Sequence, residues 1–173
     1  ISAVPNNPPP VGSTALFSPR SNLDALNYYA DLAMSATDGL FMTFAFGLNE
    51  LFKEVYKNSN APFRIALLEK ATRGYAKSEE AAKLVEEKEI QKLRNMAANT
   101  FAIGEFIRTN EFDGWVKERL TGLNKNVNYI HNKFMLIDPL SENPIVIAGS
   151  ANFSNASTTN NDENMIIVRK NKR

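Results

Sequence analysis

Apolar residues alternate with polar ones at two different periods along this chain, and the switches between them predict its elements. Asn22 can cap a helix running through Ala33, because Leu23, Leu26, Tyr29, Ala30 and Ala33 recur at helical spacing while Asp24, Asn27 and Asp31 fall elsewhere. The run GLFMTFAF over Gly39 to Phe46 is aromatic-rich and short, which predicts a buried strand with Phe41, Phe44 and Phe46 as core residues. A helix over Glu50 to Lys57 places Leu51, Phe52 and Val55 toward the core, and after the turn at Asn60 to Pro62 a strand follows over Phe63 to Leu68. Strand, short crossover helix, strand favours a parallel pair, the α/β arrangement.

From Ser78 to about Asn95 the helix formers of SEEAAKLVEEKEIQKLRN predict a helix, with Glu79 and Lys83 as a supporting i,i+4 pair and a solvated charged face. A strand is expected at Phe101 to Phe106 and a helix near Asp113 to Leu120, with Trp115 in the core. The last third is strand-rich: VNYIHNKFMLID, PIVIAGSANF and ENMIIVRK, the first two joined as a hairpin through Pro139 to Pro144. The leader, residues 1–12, holds four prolines and reads as an extended linker or edge segment, leaving residues 13–173 as one lobe.

Composition narrows the function classes. The 173 residues are 43% hydrophobic and 23% charged, an ordinary globular balance that excludes disorder and collagen. No apolar run reaches the roughly 20 residues that span a bilayer. Zero cysteines exclude a disulfide framework, a thiolate metal site and a cysteine nucleophile. Lys plus Arg number 20 against 19 acidic residues, a net charge of +1, which argues against a whole-surface grip on nucleic acid. The basic tail, Arg169, Lys170, Lys172 and Arg173, reads as an ordinary terminus.

The candidate chemistry sits around the single histidine. His131 and Lys133 are two apart in a predicted strand and share a face, whereas Asp138, seven residues from His131, falls on the other. Ser150 and Asn152 share a face of the next strand, so the hairpin brings His131, Lys133, Ser150 and Asn152 to one surface. Two cationic-capable groups beside two neutral hydrogen-bonding groups suit an anion.

The pattern H131-N-K133-FMLI-D138, then G149-S150-A-N152, then FSNASTTNNDEN with Glu163 and Asn164, resembles the signature of the phospholipase D superfamily. LFSPRSNLDAL resembles the opening of that family's repeat. The overall pattern is most similar to the second, C-terminal half of bacterial two-motif phospholipase D-like proteins. Ten residues separate Asp138 from Gly149, more than the family's common spacing, and the excess falls in the turn-rich stretch.

This resemblance implies a mixed β-sheet flanked by helices and phosphodiester hydrolysis or transphosphatidylation without metal or cofactor. It assigns His131 as nucleophile through a phosphohistidine, Lys133, Ser150 and Asn152 as ligands of the phosphoryl oxygens, and Glu163 as the acceptor that orients an imidazole. Asp138 and Gly149 are assigned structural roles, Gly149 allowing a bulge or close backbone approach. The family builds one site from two motifs, and this chain has one. A second lobe, from a parent chain or a homodimer mate, is therefore an expected partner, along with a phosphodiester substrate. Phospholipid is the favoured substrate; a homodimeric nuclease and a lobe that binds phosphate ligands or partners without turnover are the alternatives.

Overall fold

A computed structural model describes residues 3–70, 72, 74–103 and 131–170 of the chain. Seven strands form one mixed sheet: β1 (Gly12–Phe17), β2 (Gly39–Phe44), β3 (Phe63–Leu68), β4 (Asn99–Ile103), β5 (Lys133–Ile137), β6 (Ile145–Gly149) and β7 (Asn164–Arg169). Their spatial order is β1-β7-β6-β5-β2-β3-β4. β2, β3 and β4 run parallel, and every other neighbouring pair is antiparallel. Helices α1 (Asp24–Met34), α2 (Glu50–Asn58) and α3 (Glu80–Arg94) serve the parallel part, and the one-turn helix α4 (Asn155–Thr159) lies between β6 and β7.

The sheet buries one face. Leu16, Leu40, Met42, Ala66, Leu68, Met135, Ile137, Ile147, Met165 and Ile167 alternate along their strands and join Leu26, Leu32, Phe52 and Tyr56 of α1 and α2 in a continuous core. On the other face Phe17, Phe63, Val146 and Ile166 are exposed, while Phe41, Ile65, Phe134 and Leu136 of the central strands are half-buried. Phe153 seats in an aromatic cluster, with ring centroids 5.4 Å from Phe52, 5.8 Å from Tyr29 and 6.1 Å from Phe44. That geometry fixes the loop between β6 and α4 to the core.

Several sequence-based expectations change. β1 was not expected; of its residues only Leu16 is buried, so an apolar pattern hardly marks it. Its register is set instead by pairing along all of β7, Gly12 opposite Arg169 and Phe17 opposite Asn164. β2 stops at Phe44, and Phe46 is 58% exposed rather than core. The expected Glu79–Lys83 pair does not form: Glu79 Oε2 accepts from the Ala76 N–H at 2.9 Å, closing a 3-10 turn, and Lys83 instead faces Glu87 at 3.6 Å. The strand expected from Phe101 lies at Asn99–Ile103, starting earlier because Asn99 pairs with Arg64. Residues 104–106 of that expectation, the helix at 113–120 with Trp115, and Lys172 and Arg173 lie outside the described residues.

Among its described residues, 3–11, the proline-rich leader holds no helix or strand. It lies along the fold, where the Asn6 carbonyl accepts from the Tyr28 hydroxyl at 3.1 Å and the Pro9 carbonyl from Arg169 Nη1 at 2.9 Å.

Candidate active site

β5 and β6 pair with Lys133 opposite Gly149, and β6 and β7 pair with Gly149 opposite Met165. The start of β5, the end of β6 and the start of β7 therefore coincide at one edge of the sheet. His131, Lys133, Ser150, Asn152 and Glu163 all lie at that edge. Asp138 closes the other end of β5, five residues and about 17 Å of strand from Lys133.

His131 is not in the strand, as its alternation suggested, but two residues before it, and it is exposed. The strand ladder gives way here to Thr43, a polar residue inside the apolar run of β2. Its hydroxyl donates to the Asn132 carbonyl at 2.7 Å and accepts from the Phe134 N–H at 3.1 Å, while the side chain is only 1% exposed. Thr43 thus fixes the backbone that carries His131, a role the sequence reading missed although a lone threonine among aromatics was the signal.

Lys133 is 7% exposed, and its ammonium donates to the His131 carbonyl. Burial pushes its pKa below the usual lysine range, and nearby Glu163 pulls the other way. A compact cation held at a strand end, partly stripped of water, is suited to an incoming anion.

Ser150 and Asn152 also lie past the end of their strand, which stops at Gly149. The Ser150 N–H donates to the Asn164 carbonyl at 2.9 Å, and the Asn164 N–H donates to Ser150 Oγ at 3.0 Å. β6 and β7 approach so closely at Gly149 that a Cβ there would lie 2.1 Å from the Asn164 carbonyl oxygen and 2.8 Å from Met165 Cα. Only glycine fits that crossing. Asn152 is half-buried beside Phe153, and its Oδ1 is buried without a hydrogen-bond partner. Glu163 is half-buried; its Oε1 accepts from Asn161 Nδ2 at 3.2 Å, and its carbonyl accepts from the Ser18 N–H at 2.9 Å.

Asp138 has a left-handed backbone, φ 47°, a conformation aspartate tolerates. Its carboxylate accepts from the N–H groups of Thr37, Asp38 and Gly39 at 2.8–3.1 Å and from the Thr37 hydroxyl at 3.0 Å. Burial alone would raise its pKa, but those donors together hold it below the usual carboxylate range. The bonds tie the end of β5 to the start of β2.

The chain belongs to the family described as cardiolipin synthase, PLD-like domain, which matches residues 30–173. It is thereby a member of the phospholipase D-like phosphodiesterase superfamily. No curated protein matches the chain. Among solved structures it is similar to NucT from Helicobacter pylori, at 18% identity over 92% of this chain and 85% of that one, TM-score 0.53. It is also similar to Nuc from Salmonella typhimurium, a phospholipase D family member, at 15% identity over 91% and 82%, TM-score 0.56. A third similarity, to polyphosphate kinase from Porphyromonas gingivalis, has 14% identity and TM-score 0.51 and covers 90% of this chain but 23% of that one. At these identities the structures share the fold. Among the described residues no helix is long and apolar enough to cross a membrane.

Proposed function

We propose that the chain supplies one half of a phosphodiester-transfer site that acts on phospholipid-type diesters. The observation that carries this reading is the coincidence of His131, Lys133, Ser150, Asn152 and Glu163 at one sheet edge, set by the Lys133–Gly149 register. An imidazole nitrogen of His131 attacks phosphorus; the bond to the leaving alcohol breaks, and that alcohol takes a proton from a histidine of the second motif. Water or an alcohol, deprotonated by that same histidine, then displaces His131. Lys133 and the Asn152 amide hold the non-bridging oxygens, where positive charge lowers the barrier most, and the Ser150 hydroxyl adds a donor. Glu163 accepts from an imidazole and sets its orientation. No step needs a metal.

The family's description as cardiolipin synthase supports phospholipid as substrate, and a net charge of +1 supports a small diester over a nucleic acid backbone. A second reading, a homodimeric nuclease, draws on the single histidine and single motif of this chain. The two differ in salt dependence, since each phosphate neutralised along a nucleic acid steepens it.

The test is hydrolysis of bis(p-nitrophenyl) phosphate by the chain assembled with a second motif, as a homodimer or with a partner lobe, and by the same assembly carrying His131→Ala. The reading expects turnover that falls by roughly a thousandfold or more in the variant, the scale of losing an attacking group. Undiminished turnover in His131→Ala would exclude it.

A further inference from the structure

Helix α3 is longer than the surface that seats it. β2 and β3 run parallel to each other and antiparallel to β5, so both end at the edge where β5 begins and the site lies. α3 follows β3 from that edge and runs back to the start of β4, where the Leu93 carbonyl accepts from Asn99 Nδ2 at 2.8 Å. Its buried residues, Glu86, Ile90 and Leu93, share one face at i, i+4 and i+7. The six residues before them, Glu80 to Val85, are all exposed. At about 1.5 Å of rise per residue, roughly 9 Å of helix stands clear of its last packed turn, at the end that faces the site edge. Glu86 and Asn152 line one cavity, so this overhang begins beside the site.

The overhang is apolar where an exposed helix face is ordinarily polar. Leu84 is 50% and Val85 58% exposed. At 100° per residue Ala81 and Leu84 lie opposite the seated face, and Val85 borders them. Around them Lys77 and Lys83 balance Glu79 and Glu80, without the basic excess of helices that lie on a membrane. An apolar centre in a rim of mixed charge fits a protein partner.

The reading above needs a second imidazole across phosphorus from His131. An attacking nitrogen about 3–3.5 Å from phosphorus, and a proton donor within hydrogen-bond reach of the leaving oxygen opposite, place the two rings within about 8 Å of one another. The second lobe therefore approaches this edge to within the length of the overhang and lies alongside it. We propose that the overhang of α3, through Ala81, Leu84 and Val85, is a docking arm for a second copy of this chain, which brings its own His131 to the site. The inference rests on the two-imidazole reading and goes beyond it by naming the surface and its occupant. A second copy is that occupant because the chain holds one motif and one histidine, and a two-fold axis through the site supplies the second nitrogen while laying each arm along the other copy.

The test is sedimentation equilibrium of the full chain, with bis(p-nitrophenyl) phosphate turnover measured across chain concentrations. Both are repeated on the double variant Leu84→Glu, Val85→Lys, which keeps the net charge and alters only exposed side chains. The proposal expects a wild-type dimer whose turnover per chain rises with concentration, and a dissociation constant about tenfold or more higher in the variant. Because the chain has no cysteine, Leu84→Cys adds a single thiol that reports on the arm without a new charge; its reaction with a maleimide slows over the same concentrations that form the dimer. Unchanged affinity in the double variant, with an unprotected thiol at position 84, overturns the arm and leaves the two-imidazole reading standing. A wild-type chain that stays monomeric and inactive also overturns it, whereas a monomer that turns over overturns both. A dimer with a protected thiol and no turnover keeps the arm and removes the phosphodiester reading. Protection by phosphatidylcholine vesicles, but not by a rise in chain concentration, assigns the overhang to a lipid surface and overturns the proposal.

Discussion

Lys133 shows most directly how the proposed function is set against stability at a single residue. The residue is 7% exposed and its ammonium is held by a backbone carbonyl rather than by a hydrogen-bonded carboxylate, so the fold carries the desolvation of a charge. A lysine whose pKa is lowered in the folded state binds its proton less well there than in the unfolded chain. Its charge therefore destabilises the fold at neutral pH; the penalty recedes as pH rises through the folded value and is gone above the unfolded one, about 10.4. Lys133→Met is expected to leave thermal stability at pH 7 unchanged or raise it by about 1 kcal/mol, and to lose that advantage toward pH 10, while turnover falls by roughly a hundredfold. Melting curves across pH, set beside the diester assay, check both halves. A large destabilisation at pH 7 would show that Lys133 is a structural cation instead.

At the scale of elements, Asp138 joins β5 to β2 at the end of the sheet away from the site. Asp138→Asn keeps the shape but replaces a carboxylate, whose two oxygens accept from four donors in all, by an amide that accepts through one oxygen only. The expected loss is about 2–3 kcal/mol at pH 7, read as a lower urea midpoint. Because the folded pKa is depressed, this contribution is present above the unfolded value of about 3.9 and is lost as pH falls through the folded one, so the gap between wild type and variant narrows in acid. A gap that stays constant down to pH 3 would remove the charge from the explanation.

Much of this level was legible in the sequence. The parallel β2–β3 pair, the β5–β6 hairpin and the helices α1 to α3 follow from apolar spacing and turns that agree, although the expected cap Asn22 lies one residue too early: the N-cap of α1 is Leu23, which makes no side-chain cap bond. Where the reading failed, tertiary contacts decided. β1 exists because β7 offers it a full ladder, not because its own residues are apolar. His131 leaves the strand because the Thr43 hydroxyl takes the backbone groups that a ladder would use. Ser150 and Asn152 leave β6 because the crossing at Gly149 and the anchored Phe153 turn the chain toward α4. The motif residues were found by type and spacing, but Thr43, which holds the backbone beside His131, was not: its partners Asn132 and Phe134 lie 89 and 91 positions away.

For the whole molecule, the family and fold fix a phospholipase D-like lobe, and the proposed chemistry requires a second imidazole that a chain with one histidine must obtain from another motif. The central claim is that His131 becomes covalently bound to phosphorus. Its most direct test is to incubate the chain, assembled with its second motif as in the diester assay, with a short-chain phospholipid, quench in alkali to preserve a nitrogen–phosphorus bond, and map the added mass by peptide mass spectrometry. The account predicts a phosphatidyl adduct on the peptide that contains His131, absent from His131→Ala. Turnover that proceeds with no adduct, at the same rate in His131→Ala, would contradict it.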